Sequence, residues 1–333
     1  MKVAVVILNW NGKQLLEQFL PSVVQFSKEA TVYVADNAST DDSVAFINAH
    51  FPEVSIVVNS TNTGYAGGYN EALQHIDADI YALVNSDIEV TENWLQPIIK
   101  TFQAEPTTAI IQPKILDFKN KAYFEYAGAA GGYIDQYGYP FCRGRLFDTL
   151  EKDNGQYDTN QEIFWASGAC FFIRSQVYNE LNGFDTSFFA HQEEIDLCWR
   201  AINKGYGIQY LFESKVYHVG GATLKQGSPM KTELNFRNSL LMLTKNLPKN
   251  NLYRVLFIRM ILDGIAGLKF LYDGQPKLLW AILKAHFAFY ARFSENFKKR
   301  GDYQRSEYYK TKSIVYSYYV NKIRFFNDLF TLK

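Results

Sequence analysis

Val3-Ala-Val-Val-Ile-Leu8, followed at once by Asn9-Trp10-Asn11-Gly12, is a short β-branched apolar run that stops on a polar turn. Six apolar residues without polar alternation suit a strand buried on both faces, as in the interior of a parallel sheet. Outward from it, residues 13–27 carry Leu15, Leu16, Phe19, Leu20, Val23 and Val24, a helical period that persists past Pro21. The alternation continues with strand 31–35, helix 42–49, strand 54–58, helix 66–76 and strand 80–84. Strands alternating with helices predict an α/β fold, Rossmann-like, with a mostly parallel, right-handedly wound sheet flanked by helices.

In such sheets ligands sit beyond the carboxyl ends of the strands. The segments that follow the strands are also the most polar: Asn9-Trp10-Asn11, Asp36-Asn37-Ala38-Ser39-Thr40-Asp41, residues 59–68, and Asn85-Ser86-Asp87-Ile88-Glu89. Across 114–161 the pattern loosens into many Gly and Tyr residues, read as loops and short strands over a cleft, with 128–144 expected to be mobile. Order returns in a strand-like run at 163–174 interrupted by Ser167-Gly168, an amphipathic helix at 194–204 and a strand at 208–212 leading to Val216-Tyr217-His218. Beyond Lys231 the chain reads as helical.

Of 333 residues, 47% are hydrophobic and 20% charged, which places the chain among globular proteins with a substantial core. The formal charge of +0 hides an asymmetry: from Pro248 onward there are 16 basic and 6 acidic residues, net +10, leaving net −10 for the rest. An acidic body suits a site of carboxylates and metal, and a basic aromatic tail suits an anionic surface or a phosphate-bearing partner; nucleic acid is not the expected partner. Cys142, Cys170 and Cys198 are odd in number and lack C-x-x-C spacing, so neither a disulfide framework nor a zinc ribbon is expected. With no signal-peptide pattern at Met1 and no run of 18 or more apolar residues, the expected location is the cytoplasm, with peripheral contact at the inner face of the cell membrane.

Four constellations can carry chemistry. Asp36 to Asp42 stands between a strand and a helix, where short polar side chains either cap the helix or hold a ligand. Asp87 and Glu89 are acids one residue apart at a strand end, hard oxygen ligands for Mg²⁺ or Mn²⁺ if both point one way. Glu193-Glu194-Ile195-Asp196 puts three acids into a first helical turn; one or two suit the helix dipole, and the crowding raises a carboxylate pKa toward general-base duty. His218 ends a strand before Val219-Gly220-Gly221, a flexible exit, and is either structural or a metal ligand. Asn62-Thr63-Gly64-Tyr65-Ala66-Gly67-Gly68-Tyr69-Asn70 lacks G-x-G-x-x-G spacing and reads as a tight turn into a helix, its backbone near a nucleotide.

In this order the motifs resemble glycosyltransferase family 2 with the GT-A fold, its rhamnosyltransferase-like branch in particular. The matches are V-V-I-L-N-W-N-G from Val5, D-N-A-S-T-D from Asp36, N-T-G-Y-A-G-G-Y-N from Asn62, N-S-D-I-E-V from Asn85, S-G-A-C-F-F-I-R from Ser167, G-F-D from Gly183 and E-E-I-D-L-C-W-R from Glu193. The resemblance implies a catalytic domain over 1–246, with a nucleotide-binding half at 1–112 and an acceptor half at 113–246, and a helical C-terminal extension over 247–333. It implies that Asn9, Asp36, Ser39, Asn62, Gly67, Asn85 and Ser86 hold the nucleotide of a dTDP-, UDP- or GDP-sugar. It further implies that Asp87 and His218 hold Mn²⁺ or Mg²⁺, that Glu194 is the catalytic base of an inverting transfer, and that Trp165, Gly168, Glu193, Asp196 and Arg237 contact or support a glycan or lipid-linked acceptor. Two positions depart from the family pattern: Asn85 at the first D-x-D acid, and Glu194 where Asp is usual. The departures keep open a nucleotide-sugar scaffold without activity; a nucleotidyltransferase fits less well, because residues 9–13 lack a basic triphosphate loop. For the tail the readings are a packed helical subdomain, a homodimer interface, or a monotopic platform on anionic membrane.

Overall fold

β1 (Val3–Asn9) sends Val3, Val5 and Ile7 into one hydrophobic cluster and Ala4 and Val6 into another, the two-sided burial that its unbroken apolar run requires. A computed structural model describes residues 1–220 and 227–331. Gly221, the last residue of the exit expected after His218, lies outside the described residues.

From β1 the chain winds through α1 (Lys13–Phe26), β2 (Thr31–Asp36), α2 (Ser43–His50), β3 (Ser55–Val58), α3 (Gly64–Leu73) and β4 (Ile80–Asn85). β5 (Ile88–Val90), α4 (Gln96–Ala104) and β6 (Thr108–Asp117) follow. Next come the short strands β7 (Gly132–Ile134), β8 (Pro140–Cys142), β9 (Arg145–Leu146), β10 (Thr149–Leu150) and β11 (Gln161–Glu162), then β12 (Cys170–Arg174), α5 (Ser175–Glu180), α6 (Glu193–Asn203) and β13 (Gly207–His218). The main sheet has order β11-β13-β6-β12-β4-β1-β2-β3, with β5 paired to β13. β3, β2, β1 and β4 are parallel, β12 runs antiparallel between β4 and β6, and β6 and β13 are parallel to each other. The chain progresses outward from β1 to β3 and then resumes at β4 on the other side of β1, so strand order reverses there. The crevice beyond the ends of β1 and β4 is the place where such a sheet takes a ligand.

Residues 128–144, expected to be mobile, are largely buried in a second, four-stranded sheet of β7 to β10. Its glycines disguise that packing: a Cβ on Gly132 would lie 2.0 Å from the Trp165 ring, and one on Gly128 2.4 Å from Ser167 Cβ. The strand expected over 163–174 is confined to β12. The expected strand 208–212 and its continuation to His218 form one strand, β13, with a register shift between Leu211 and Lys215.

The C-terminal part is helical: α7 (Pro229–Asn246), α8 (Lys249–Tyr272), α9 (Pro276–Lys298), α10 (Ile314–Tyr319) and α11 (Asp328–Thr331). α8 and α9 form an antiparallel hairpin packed on α7. Tyr308, Ile314, Tyr318 and Phe326 enter the same hydrophobic cluster as α6 and the small sheet, with Tyr308 stacked on Trp199 at 5.2 Å between ring centroids. Among the described residues no helix is long and apolar enough to cross a membrane.

Candidate active site

The register of β1, β2 and β4 sets Asn9 beside Asp36 and Leu8 beside Asn85, so the motif residues share one edge. Asn9 Nδ2 donates to Asp36 Oδ2 at 3.0 Å and to Ser39 Oγ at 3.2 Å, and the Ser39 amide donates to Asp36 Oδ1 at 2.8 Å. Asn9 and Asp36 are both buried, and Asn9 Oδ1 has no partner. Helix capping falls to Asp41, which accepts from the Ser43 amide of α2 at 3.1 Å and from the Lys13 amide of α1 at 3.1 Å. An open cavity of about 730 Å³ lies against this ledge, lined by Asn11, Gly12, Lys13, Thr40 and Asp41 among others.

α3 begins at Gly64, two residues before its sequence-based start, and the glycines there meet protein groups. Gly64 has φ +75°, and a Cβ on it would lie 2.5 Å from the Phe189 carbonyl; one on Gly67 would lie 2.4 Å from Thr63 Oγ1. Asn62 Oδ1 accepts from Asn37 Nδ2 at 2.9 Å and from the Gly64 amide at 3.0 Å, which ties this turn to the loop after β2.

Asp87 and Glu89 do not point the same way. Glu89 pairs with Lys121 on the surface, whereas Asp87 is buried at the start of β5, across from the end of β13. The pairing of β5 with β13 brings His218 Nε2 to 3.1 Å from Asp87 Oδ1, and His218 Nδ1 lies 3.2 Å from Glu125 Oε1. Burial alone would lower the His218 pKa; Glu125 and Asp87 outweigh it and hold the ring up to about 10. Burial opposes ionisation of Asp87 as well, and the adjacent imidazolium more than offsets that, leaving the carboxyl below its usual range. Glu125 has no place among the sequence candidates: it stands alone in the aperiodic stretch before β7, where its Oε2 accepts from the Ala127 amide at 2.6 Å, and only the meeting of that stretch with β13 brings it to His218.

At the N-terminus of α6 the three acids separate. Asp196 is fully buried, accepting from Arg200 Nε at 2.8 Å and Asn246 Nδ2 at 2.8 Å and pairing with Lys245 Nζ at 2.9 Å; it supports the helix and has no surface for an acceptor. Glu193 is 4% exposed, Glu194 is half-buried, and each has one carboxyl oxygen buried without a partner. Burial, then the charges of Glu194 and Asp196, pushes the Glu193 pKa well above the carboxylate range. Burial raises Glu194 to about 7 against the pull of the amides of Glu194, Ile195 and Gln192. Gly168 lies beside Glu194: a Cβ on it would be 3.8 Å from Glu194 Cβ, and its carbonyl accepts from Tyr65 Oη at 2.7 Å.

The loop leading into α6 holds Phe189, His191 and Gln192 at positive φ, three left-handed non-glycine residues in four. α7 grips it. Asn238 Nδ2 donates to the carbonyls of Phe188, Ala190 and His191 at 2.7 to 3.0 Å, and Arg237 donates to those of Ser187 and Phe188 at 3.2 and 3.0 Å. Arg237 and Trp165 therefore act on the protein itself; Trp165 is buried, with Nε1 donating to the Tyr133 carbonyl at 2.9 Å. Sequence reading passed over Asn238, His191 and Gln192, which carry no motif of their own.

The sequence profile described as "Glycosyl transferase family 2" matches residues 4–181, more than half of the chain. The chain belongs to glycosyltransferase family 2. This glycosyltransferase is 22% identical over 229 residues to the N-acetylglucosaminyl-diphospho-decaprenol L-rhamnosyltransferase of Mycobacterium tuberculosis, a match that covers 64% of this chain and 75% of the relative. A crystal structure of S. aureus TarS 1–349 in complex with UDP-GlcNAc superposes on it with a TM-score of 0.55 and 16% identity, covering 90% of both chains. One of GalNAc-T7 with UDP, GalNAc and Mn²⁺ does so at 0.56 and 17% identity, covering 68% of this chain and 45% of that one, so this glycosyltransferase spans less than half of that protein. The GT-A fold with a helical C-terminal extension is thus the fold observed.

Among the described residues no group of three or more His, Cys, Asp and Glu side chains is arranged to hold a metal ion. What this glycosyltransferase offers is a pair. Asp87 Oδ1 and His218 Nε2 face each other at 3.1 Å, the separation of two ligands around one ion, and Glu125 Oε1 stands 3.2 Å from the far nitrogen, off hydrogen-bond alignment but in the place from which a carboxylate backs a metal-bound histidine. Once a bound cation displaces the Nε2 proton of His218, the donor set fits a divalent ion whose other ligands come from substrate oxygens, and an imidazole donor favours Mn²⁺ over Mg²⁺.

Proposed function

We propose that this chain is an inverting hexosyltransferase that moves a sugar from a nucleoside-diphosphate sugar to a hydroxyl of a glycan or lipid-linked acceptor in surface-polysaccharide synthesis. The observation that carries the reading is the Glu194 carboxyl: half-buried, with one partnerless oxygen and a pKa of about 7, poised to take a proton near neutral pH. Glu194 accepts the proton of the acceptor hydroxyl as that oxygen attacks the anomeric carbon, the C1–O bond to the diphosphate breaks on the opposite face, and one displacement inverts the configuration. Asp87 and His218 would hold Mn²⁺ or Mg²⁺, which when bound neutralises the departing diphosphate. Asn9, Asp36, Ser39, Asn62, Gly67, Asn85 and Ser86 form or back the ledge for the nucleotide, and Asn9 Oδ1 is its free buried acceptor. Gly168 and Glu193, next to Glu194, border the acceptor side.

The relative's name, with its diphospho-decaprenol acceptor and L-rhamnosyl group, supports a lipid-linked acceptor and rhamnose as the first sugar to try, with dTDP-, UDP- and GDP-sugars as donors. Three buried free thiols suit a reducing compartment, in keeping with a cytoplasmic site of action.

The test is a thermal-shift screen of nucleoside diphosphates and nucleotide-sugars with Mn²⁺, with Mg²⁺ and with chelator. At about a hundred times Kd a ligand adds roughly 2.7 kcal/mol of stability, a readable shift. We expect one nucleotide to stabilise the protein in the presence of metal and Asp87→Ala to abolish the effect. No stabilisation by any nucleotide, with or without metal, would overturn the reading.

A further inference from the structure

α8 and α9 leave a large apolar surface uncovered. On α8, Phe257, Ile261, Ile265, Leu268 and Tyr272 are 50 to 92% exposed, all within about a third of the helix circumference at 100° per residue. On α9, Trp280, Leu283 and Phe287 are 58, 40 and 70% exposed and likewise fall on one side. The hairpin contacts show how the rows relate. Tyr290 Oη reaches Met260 Sδ at 3.3 Å, His286 Nε2 lies 3.3 Å from Asp263 Oδ2, and a Cβ on Gly267 would touch Leu279 and Ile282. These pairs define antiparallel helices. On each helix the exposed row lies in the direction of increasing helical angle from this seam, and in antiparallel helices that rotation points both rows to the same side. The two rows therefore make one continuous face, opposed to α7.

Around this apolar face the charge is positive. Between Lys249 and Lys284 there are six basic and two acidic side chains; Arg259 and Asp263 are buried, while Arg254, Lys277 and Lys284 are exposed among the apolar residues. A second copy of the chain would bring like charge against like charge on a two-fold axis. A surface of anionic headgroups above acyl chains is complementary both to the lysines and arginines and to the aromatic and aliphatic row. Neither helix is long and apolar enough to cross a membrane, which leaves the hairpin lying in the interface plane.

We propose that the α8–α9 hairpin is a docking face for an anionic lipid bilayer. α7, which it covers, also holds the loop in front of Glu194, so docking fixes the Glu194 side of the body behind the hairpin at the membrane; that consequence rests on the proposed reaction, whereas the docking face does not.

The experiment is co-sedimentation of the full chain with phosphatidylglycerol–phosphatidylcholine vesicles and with phosphatidylcholine vesicles alone, at low and high salt, beside sedimentation velocity without lipid and nucleotide binding as a separate readout. Expected is binding at least about tenfold tighter to the anionic vesicles, weakened by salt, and lowered about tenfold or more both by Phe257→Ser with Phe287→Ser and by Lys277→Glu with Lys284→Glu. All four side chains are exposed, so thermal melts of the variants should match the parent. A chain that stays in the supernatant with anionic vesicles, or that binds them equally with both variants, overturns the proposal. So does a dimer in solution that Phe257→Ser with Phe287→Ser converts to monomer, because the face then belongs to a second copy.

Discussion

Glu194 is a carboxyl caught between opposing influences: burial favours its neutral form, and the amides of the first turn of α6 favour the charged one. In the proposed role of base to the acceptor it would work only when deprotonated, so the rate should rise with pH through about 7 and level off above it. Glu194→Gln should cut kcat by about 10² to 10⁴ while leaving nucleotide affinity in place, measured by transfer assay and calorimetry. The same residue predicts a stability signature. Between the ordinary value of 4.5 and about 7 the native state keeps a proton that the unfolded chain releases, so stability falls as pH rises across that window. Glu194→Gln should therefore raise the melting temperature at pH 8 and leave it unchanged at pH 4; destabilisation at pH 8 would refute the burial argument. Glu125 gives a separate prediction. If it orients His218 for a metal ion, Glu125→Gln should weaken the Mn²⁺ dependence of nucleotide binding by about 10- to 100-fold without unfolding the protein.

At the scale of elements, α7 and the loop before α6 form a unit. Three left-handed residues at Phe189, His191 and Gln192 cost free energy that the carbonyl bonds from Asn238 and Arg237 offset. Asn238→Ala leaves the half-buried Ala190 and His191 carbonyls without their donor and the Phe188 carbonyl with Arg237, and should let the loop relax, displacing Glu194. A shift of an ångström at a base is enough to lower the rate markedly. We expect kcat to fall about tenfold or more with the nucleotide dissociation constant changed far less, because the ledge at Asn9, Asp36 and Asn62 belongs to other elements and meets the loop through the Phe189 carbonyl at Tyr65. Equal losses in both would mean that the loop also serves the nucleotide.

At the scale of the whole molecule, the C-terminal segment closes the core of the catalytic body. Phe326 is 4% exposed and packs on Tyr133 and Phe141 with ring centroids 5.4 and 6.1 Å away, and its amide donates to Glu151 Oε1 at 3.0 Å. Phe326→Ala should cost about 3 to 5 kcal/mol, read by chemical denaturation, and should melt the protein as one unit. What the sequence determined alone was whatever depends on local pattern. The β-branched run at Val3, the 3.6-residue period of α1 and the polar strand ends at Asn9, Asp36 and Asn85 each report burial or turn chemistry within a few residues, and together they spelled out the sheet, its polar edge and the family. Tertiary structure decided what depends on distant segments meeting. Glu125 finds His218 only because the chain before the small sheet crosses the end of β13; Glu89 leaves the site because β5 turns it toward Lys121. Gly128 and Gly132 mark packing against Ser167 and Trp165 instead of mobility, and the outward rows of α8 and α9 become one face only through the antiparallel seam. A single chain pattern records which side of an element is apolar, but not which other element, or which surface, comes to lie against it.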